Sequence, residues 1–148
     1  MKYLGGKQRL GKKIAPVLHD ILEGCESNGY MLETYIEPFC GSLGVLRNMT
    51  DIHIPIQASD YHPDLISMWI DVRDGTFKYP TSISEKQYLA AKSLPSPNSY
   101  KSFVGFGMSF GGRFFGAYSQ KYLGDKKEDF CKEMTNSLKR TAPLIRNV

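Results

Sequence analysis

The stretch YIEPFCGSLGV, Tyr35 to Val45, constrains the fold of this chain more than any other. A β-type run, Leu32 to Glu37, leads through Pro38 and Phe39 to two glycines, Gly41 and Gly44, and then to an apolar segment, Leu43 to Met49, with the makings of a short helix. Ile54 to Ser59 reads as a second buried strand ending at Asp60. PDLISMWIDVRDG then reads as a helix, with Pro63 suited to its first position and Gly75 to its stop. Strand, glycine turn, helix, strand, acid and helix in that order predict a parallel α/β sheet with right-handed crossovers.

The rest of the chain reads as helical. Past the glycines of LGGK, Leu10, Ile14, Val17, Leu18, Ile21 and Leu22 recur at helical spacing, with Pro16 expected to divide a short first helix from a second. A polar break runs from Gly24 to Gly29. Beyond Phe77, Ser82 to Glu85 fits a capping box ahead of a helical segment reaching Ser93, SLPSPNS is a loop, and Asn98 is placed to cap a helix through Met108. A last helix is expected from Lys126 to about Thr141, on Phe130, Met134 and Leu138. No strand pattern is evident after Asp60, so a helical subdomain beside the sheet is the economical reading.

Composition narrows the class. The 148 residues carry a net charge of +4 and a hydrophobic fraction of 41%, values that suit one soluble globular domain. No apolar run approaches the roughly 20 residues of a membrane span, and MKYLGGKQRLGKK is not followed by the apolar core of a secretory signal, so an intracellular, cytoplasmic protein is expected. Cys25, Cys40 and Cys131 are odd in number and widely spaced, which suggests reduced thiols rather than a disulfide framework or a zinc site; no metal is expected. His19, His53 and His62 sit in unrelated contexts. Basic residues cluster at Lys2, Lys7, Arg9, Lys12 and Lys13 and again from Arg113 to Arg140, a distribution open to a polyanionic partner or to a solvated face.

Two segments carry chemistry. A turn through Gly41 and Gly44 can bring backbone N–H groups close to a ligand, because glycine has no Cβ to block approach. Asp60 lies where dinucleotide-binding folds place the carboxylate that accepts from ribose hydroxyls. The pair reads as a pocket for an adenosine-containing cofactor or, alternatively, as a structural turn. The second segment is FGMSFGGRFFGAYSQKY. Gly111 and Gly112 allow close approach, Arg113 can fork to phosphate or guanine, and Phe114, Phe115 and Tyr118 offer stacking or wedging surfaces. The alternative there is a buried aromatic cluster with an exposed arginine.

Taken in order, KYLGGK, IEPFCGSLGV, ASDYHPDLISMW and FVGFGMSFGGRFFGAY resemble the DNA adenine-N6 methyltransferases of the Dam type (D12 class), especially phage-like members, over Lys2 to about Arg140. The resemblance implies a Rossmann-like α/β fold dependent on S-adenosyl-L-methionine, with an incomplete sheet, and a helical DNA-recognition subdomain. It divides the chain into a cofactor-binding portion at 1–76, a target-recognition portion at 77–142, and the start of a return to the catalytic portion at 143–148. It implies cofactor contacts from Tyr3, Gly6 and Lys7, with Gly5 and Gly6 letting that loop pass close. The motif Glu37, Pro38, Phe39, Gly41 and Gly44 would border the methionine moiety, Asp60 would hold the ribose hydroxyls, and Tyr61 could flank the adenine or be an ordinary surface tyrosine. Double-stranded DNA is the implied partner, met by Arg113, Phe114, Tyr118 and Lys121, in a bacterial or phage-infected cell.

One element of the resemblance is missing. The family holds the flipped adenine with a D-P-P-Y tetrapeptide, and no [DNS]-P-P-[YFW] occurs here; SLPSPNSY has its prolines separated and no acid beside them. The chain resembles the front half of a methyltransferase. Three readings follow: a truncated or split enzyme completed by a second chain that supplies the tetrapeptide, a non-catalytic cofactor- or DNA-binding remnant, and a fragment of a nicotinamide-dependent oxidoreductase, which the GSLG pattern disfavours.

Overall fold

The computed structural model describes residues 1–119, 122–123, 126–127 and 129–148. Lys121, an expected DNA contact, lies outside the described residues. The chain forms two compact units: one of Met1–Leu4 and His62–Pro143, the other of Gly5–Tyr61 and Leu144–Val148.

The second of these begins with helix α1, Gln8–Ser27, and contains strands β1, Tyr35–Glu37, and β2, Ile56–Ala58. β1 and β2 pair in parallel with Tyr35 opposite Ile56, Ile36 opposite Gln57 and Glu37 opposite Ala58. The parallel pairing follows the predicted order, but both strands are shorter than expected, and Ile36 is 57% exposed rather than buried. The register starts at Tyr35 opposite Ile56, so Leu32 to Thr34 stay outside the ladder. α1 runs unbroken through Pro16, against the expected division. Pro16 is exposed, and the lost ladder bond is offset by the packing of Gly11 and Ala15 on the opposite face, both buried. The helix expected over Leu43 to Met49 is a single 3-10 turn, Leu46–Asn48. Gly41 and Leu43 adopt left-handed φ values of 49° and 58°, which delay helical geometry until the turn is complete.

In the helical unit, α2 is Pro63–Arg73, with proline in the first turn as the sequence predicts and His62 as its N-cap. α3, Glu85–Lys92, is capped one dipeptide later than expected: Ser84 Oγ accepts from Gln87 N–H at 3.3 Å, and Gln87 Oε1 accepts from Ser84 N–H at 2.8 Å. Both Ser82-x-x-Glu85 and Ser84-x-x-Gln87 fit the capping pattern, and the second is the one formed. α4, Ser99–Gly107, starts at the expected Asn98 cap. A hairpin of β3, Tyr122–Leu123, and β4, Lys126–Lys127, corrects the expectation of no strand after Asp60 and of a helix beginning at Lys126. α5 begins instead at Phe130, under an Asp129 cap, and ends at Thr141.

The core of this unit forms where α2 meets α4, around the fully buried Leu65, Met68, Phe103 and Val104. Asp64, only 2% exposed, ties the two helices. Its Oδ1 accepts from Asn98 N–H at 2.7 Å and its Oδ2 from Ser96 Oγ at 2.9 Å, with Lys101 Nζ at 3.9 Å. A buried carboxylate is tolerated only when its lone pairs are met in this way. Nothing in the sequence pattern singles Asp64 out, because its partners lie more than thirty residues away.

Candidate functional site

β1 and β2 run in parallel, so the segments that follow them emerge at the same end of the pair, where open α/β sheets take their ligands. The glycine turn leaves β1 there and Asp60 leaves β2. The two are joined directly: Gly41 N–H donates to Asp60 Oδ2 at 2.8 Å, Cys40 N–H donates to Ser59 O at 2.9 Å, and Ser59 Oγ donates to Pro38 O at 3.2 Å. Asp60 is therefore half-buried and held against the turn.

Burial raises the titration of Glu37, Tyr35 and Cys40 here. Glu37 accepts from Tyr35 Oη at 3.1 Å, yet its carboxyl sits above the usual range because burial outweighs the hydrogen bonds from Tyr35 and from the Leu46 backbone. Tyr35 is raised in turn by burial and by Glu37. Cys40 is pushed up to about 12 by burial, with the Asp60 and Glu37 charges adding to the effect, so its thiol is neutral and packs as a small apolar side chain.

The two glycines of the turn have different uses. Gly41 supplies a left-handed residue and the N–H that meets Asp60. Gly44 supplies a close approach of backbone to backbone. A Cβ there would lie 2.7 Å from Lys7 C, and a Cβ on Gly11 of α1 would lie 1.9 Å from Gly44 O. Gly44 thus admits the N-terminus of α1 rather than a ligand. The turn also buries Ser42, whose Oγ has no hydrogen-bond partner among the described residues.

Of the other expected cofactor residues, Lys7 is exposed at the start of α1 and donates through Nζ to Gly5 O at 2.8 Å; Gly6 and Pro38 are exposed beside the same strand and helix ends. Phe39 and Tyr61 are 85% and 96% exposed, one ring following each strand. Tyr3 belongs to the helical unit, where its ring lies 5.0 Å from Phe106. An exposed ring after each strand and a half-buried carboxylate at the end of β2 are groups of the kind that fit a nucleoside with a cationic tail: rings for the base or a sulfonium, a carboxylate to accept from ribose hydroxyls.

The Gly-aromatic segment builds a tight projection in the helical unit. Phe110 N–H donates to Ala117 O at 2.9 Å, Ser119 N–H to Met108 O at 2.8 Å, and Ser109 bridges to Tyr118. Gly112 faces the N-terminal residues so closely that a Cβ would lie 2.5 Å from Lys2 C. Phe114 is packed inward, its ring 4.3 Å from His62 and 4.7 Å from Phe106. Tyr118 stacks near Tyr88 at 5.3 Å and donates to Ile83 O at 2.7 Å. Phe115 is buried at a left-handed φ of 46°. These rings touch one another and their neighbours in one aromatic cluster, in which Phe115 is buried and Phe114 and Tyr118 are half-buried. Arg113 remains exposed and forms no ion pair among the described residues. Phe110, which the sequence reading did not select, is 78% exposed on the same projection; its place in a run of apolar and glycine residues carried no signal to separate it from the packed rings.

No group of three or more His, Cys, Asp or Glu among the described residues is placed to hold a metal ion, and no helix among them is long and apolar enough to cross a membrane.

Helices and a small parallel sheet make a mixed α/β protein consistent with a methyltransferase domain. Residues 3–103, more than half of the chain, match the D12 class N6 adenine-specific DNA methyltransferases, and the chain belongs to that family. The matched region takes in the glycine turn, Asp60 and the first turns of α4, and stops before Arg113. No curated protein and no solved structure matches the chain.

Proposed function

We propose that this chain is the cofactor- and DNA-holding portion of an adenine-N6 DNA methyltransferase, with S-adenosyl-L-methionine as methyl donor. The observation that carries this reading is the joined pair at the strand ends: the Asp60 carboxylate fastened to Gly41, with an exposed ring, Phe39 or Tyr61, in the segment after each strand. When bound, S-adenosylmethionine supplies an electrophilic methyl group on its sulfonium.

The chain's own residues bind and orient. Asp60 accepts from ribose hydroxyls, Tyr61 flanks the adenine ring, and Phe39 and Glu37 border the methionine end with Gly41. Gly6 and Lys7 contact the cofactor from the N-terminal segment, and the family resemblance gives Tyr3 a cofactor contact as well. By role, residues 1–76 serve the cofactor and 77–142 the target, within a Rossmann-like fold. On the DNA side, Arg113 meets phosphate or a guanine edge, and Phe110 is the ring available for stacking; Phe114 and Tyr118 hold the projection in shape, and Lys121 adds charge.

N6 of adenine is a poor nucleophile, and the groups that would accept its hydrogens are absent from this sequence. We therefore infer that the 148 residues do not methylate DNA by themselves and that a D-P-P-Y segment from elsewhere completes the site. The test is transfer of a labelled methyl group to adenine in duplex DNA, with pure chain and with an added D-P-P-Y-containing family fragment. Transfer only in the second case supports the split enzyme. Transfer by the chain alone refutes the missing-group argument, and no transfer in either case leaves the binding remnant as the reading.

A further inference from the structure

Helix α1 buries Gly11 and Ala15 but leaves Leu10, Val17 and Ile21 49%, 57% and 55% exposed. With the half-buried Ile14 they fall at i, i+4, i+7 and i+11, a single stripe along the helix. The charges of α1 are segregated: Arg9, Lys12 and Lys13 occupy its first half, and Asp20, Glu23 and Glu26 its second. Within one helix that order is unfavourable. Arg9 and Lys13 are like charges at i, i+4, and no acid in the first turn or base in the last offsets the macrodipole. Arg9, Lys12, Lys13, Asp20 and Glu23 form no ion pair among the described residues.

A second copy of the same helix, laid antiparallel, answers both features. With Leu10 opposite Ile21 of the partner subunit, Ile14 falls opposite Val17. Lys13 and Asp20 lie on the same edge of the stripe at 100° per residue, so each basic half faces an acidic half across a two-fold axis and every contact occurs twice. The reversed charge order, costly in the single helix, becomes complementary in the pair.

We propose that α1 is a self-association surface: the chain forms a two-fold dimer through Leu10, Ile14, Val17 and Ile21, with Lys13 paired to Asp20 of the partner subunit at each rim. One helix pair lies at the low end of interface sizes, so the association is weak, with a dissociation constant on the order of micromolar.

Sedimentation of the full chain over about 1 to 200 µM tests this, since that span brackets micromolar association. The expected result is a rise from the monomer mass of 16.7 kDa toward twice that value. Lys13→Glu and Asp20→Lys should each stay monomeric, because each sets like charges opposite one another, while an equimolar mixture of the two should associate as the wild type does. Unchanged melting temperatures of the single variants show that they remain folded; if either fails to fold, Val17→Glu replaces it as the monomeric control and the double variant Lys13→Glu/Asp20→Lys as the restored dimer. A wild type that stays monomeric throughout, including one that instead binds a different protein, overturns the proposal. So do single variants that associate like wild type, or a mixture that does not associate.

Discussion

Gly41 N–H donates to Asp60 Oδ2 at 2.8 Å, so the acid that ends β2 also fastens the glycine turn that leaves β1. A hydrogen bond to a carboxylate contributes about 1.5–3 kcal/mol when intact. Asp60→Ala should therefore lower stability by about 1–2 kcal/mol, the half-buried site letting water meet part of the loss. Asp60→Asn retains an acceptor for Gly41 and should stay within about 0.5 kcal/mol of wild type. Urea midpoints of the two variants measure the difference; equal losses would deny the turn-fastening role.

Gly44 is a matter of volume. Its missing Cβ leaves room for the backbone of Lys7 and Gln8, at 2.7 and 2.8 Å from where the atom would be. Gly44→Ala should cost about 3 kcal/mol or more, because both sides of the contact are backbone and neither can yield by a rotamer change. Thermal unfolding measures it. A variant as stable as wild type would mean that α1 is not seated on the turn.

The Glu37 carboxyl is raised, mainly by burial, so folding favours its protonated form. The folded state then binds more protons than the unfolded state between the ordinary carboxyl range and the raised value, and stability falls as pH rises through that window. Glu37→Gln removes this cost. The variant should be more stable than wild type at pH 7, and the gain should vanish below about pH 4, where the unfolded carboxyl is also protonated. Denaturation at both pH values tests it, and a variant less stable at pH 7 would show that the Tyr35 and Leu46 hydrogen bonds outweigh burial.

On the projection, exposure separates two kinds of residue. Arg113→Ala and Phe110→Ala should each leave stability within about 0.5 kcal/mol of wild type while weakening duplex binding. The arginine variant should also lower the slope of log affinity against log salt by about 1. Phe114→Ala should instead cost about 2 kcal/mol of stability, since its ring packs on His62 and Phe106. Filter binding at several salt concentrations, with melting curves alongside, distinguishes them; unchanged DNA affinity for both exposed-residue variants would remove the projection from the interface.

Local rules were readable in the sequence and long-range ones were not. Pro63 at a first turn, the Asn98 cap and the parallel order of β1 and β2 each follow from residues a few positions apart or from element order, and all three are present. Pro16 misled, because its local cost is overridden by tertiary packing at Gly11 and Ala15. Strand lengths were overestimated, since pairing is set by a partner some twenty residues away rather than by the apolar run itself. At the site, Asp60 could be picked out from its place after a strand, but its bond to Gly41 could not. The aromatic run shows the same limit. Composition gives Phe110, Phe114 and Phe115 equal standing, and only the packing of Gly105, Phe106 and His62 decides which rings turn inward.

In the proposed function, the strand ends hold S-adenosylmethionine through Asp60. Calorimetric titration of S-adenosylmethionine into wild type and Asp60→Asn addresses it directly, because the asparagine retains an acceptor for Gly41 and removes the charge offered to the ribose. Wild type should bind, and the variant should bind about tenfold more weakly, the loss of a charge-assisted pair of hydrogen bonds. Equal affinity in the two proteins, or no binding by wild type, would remove Asp60 and the strand ends as the S-adenosylmethionine site.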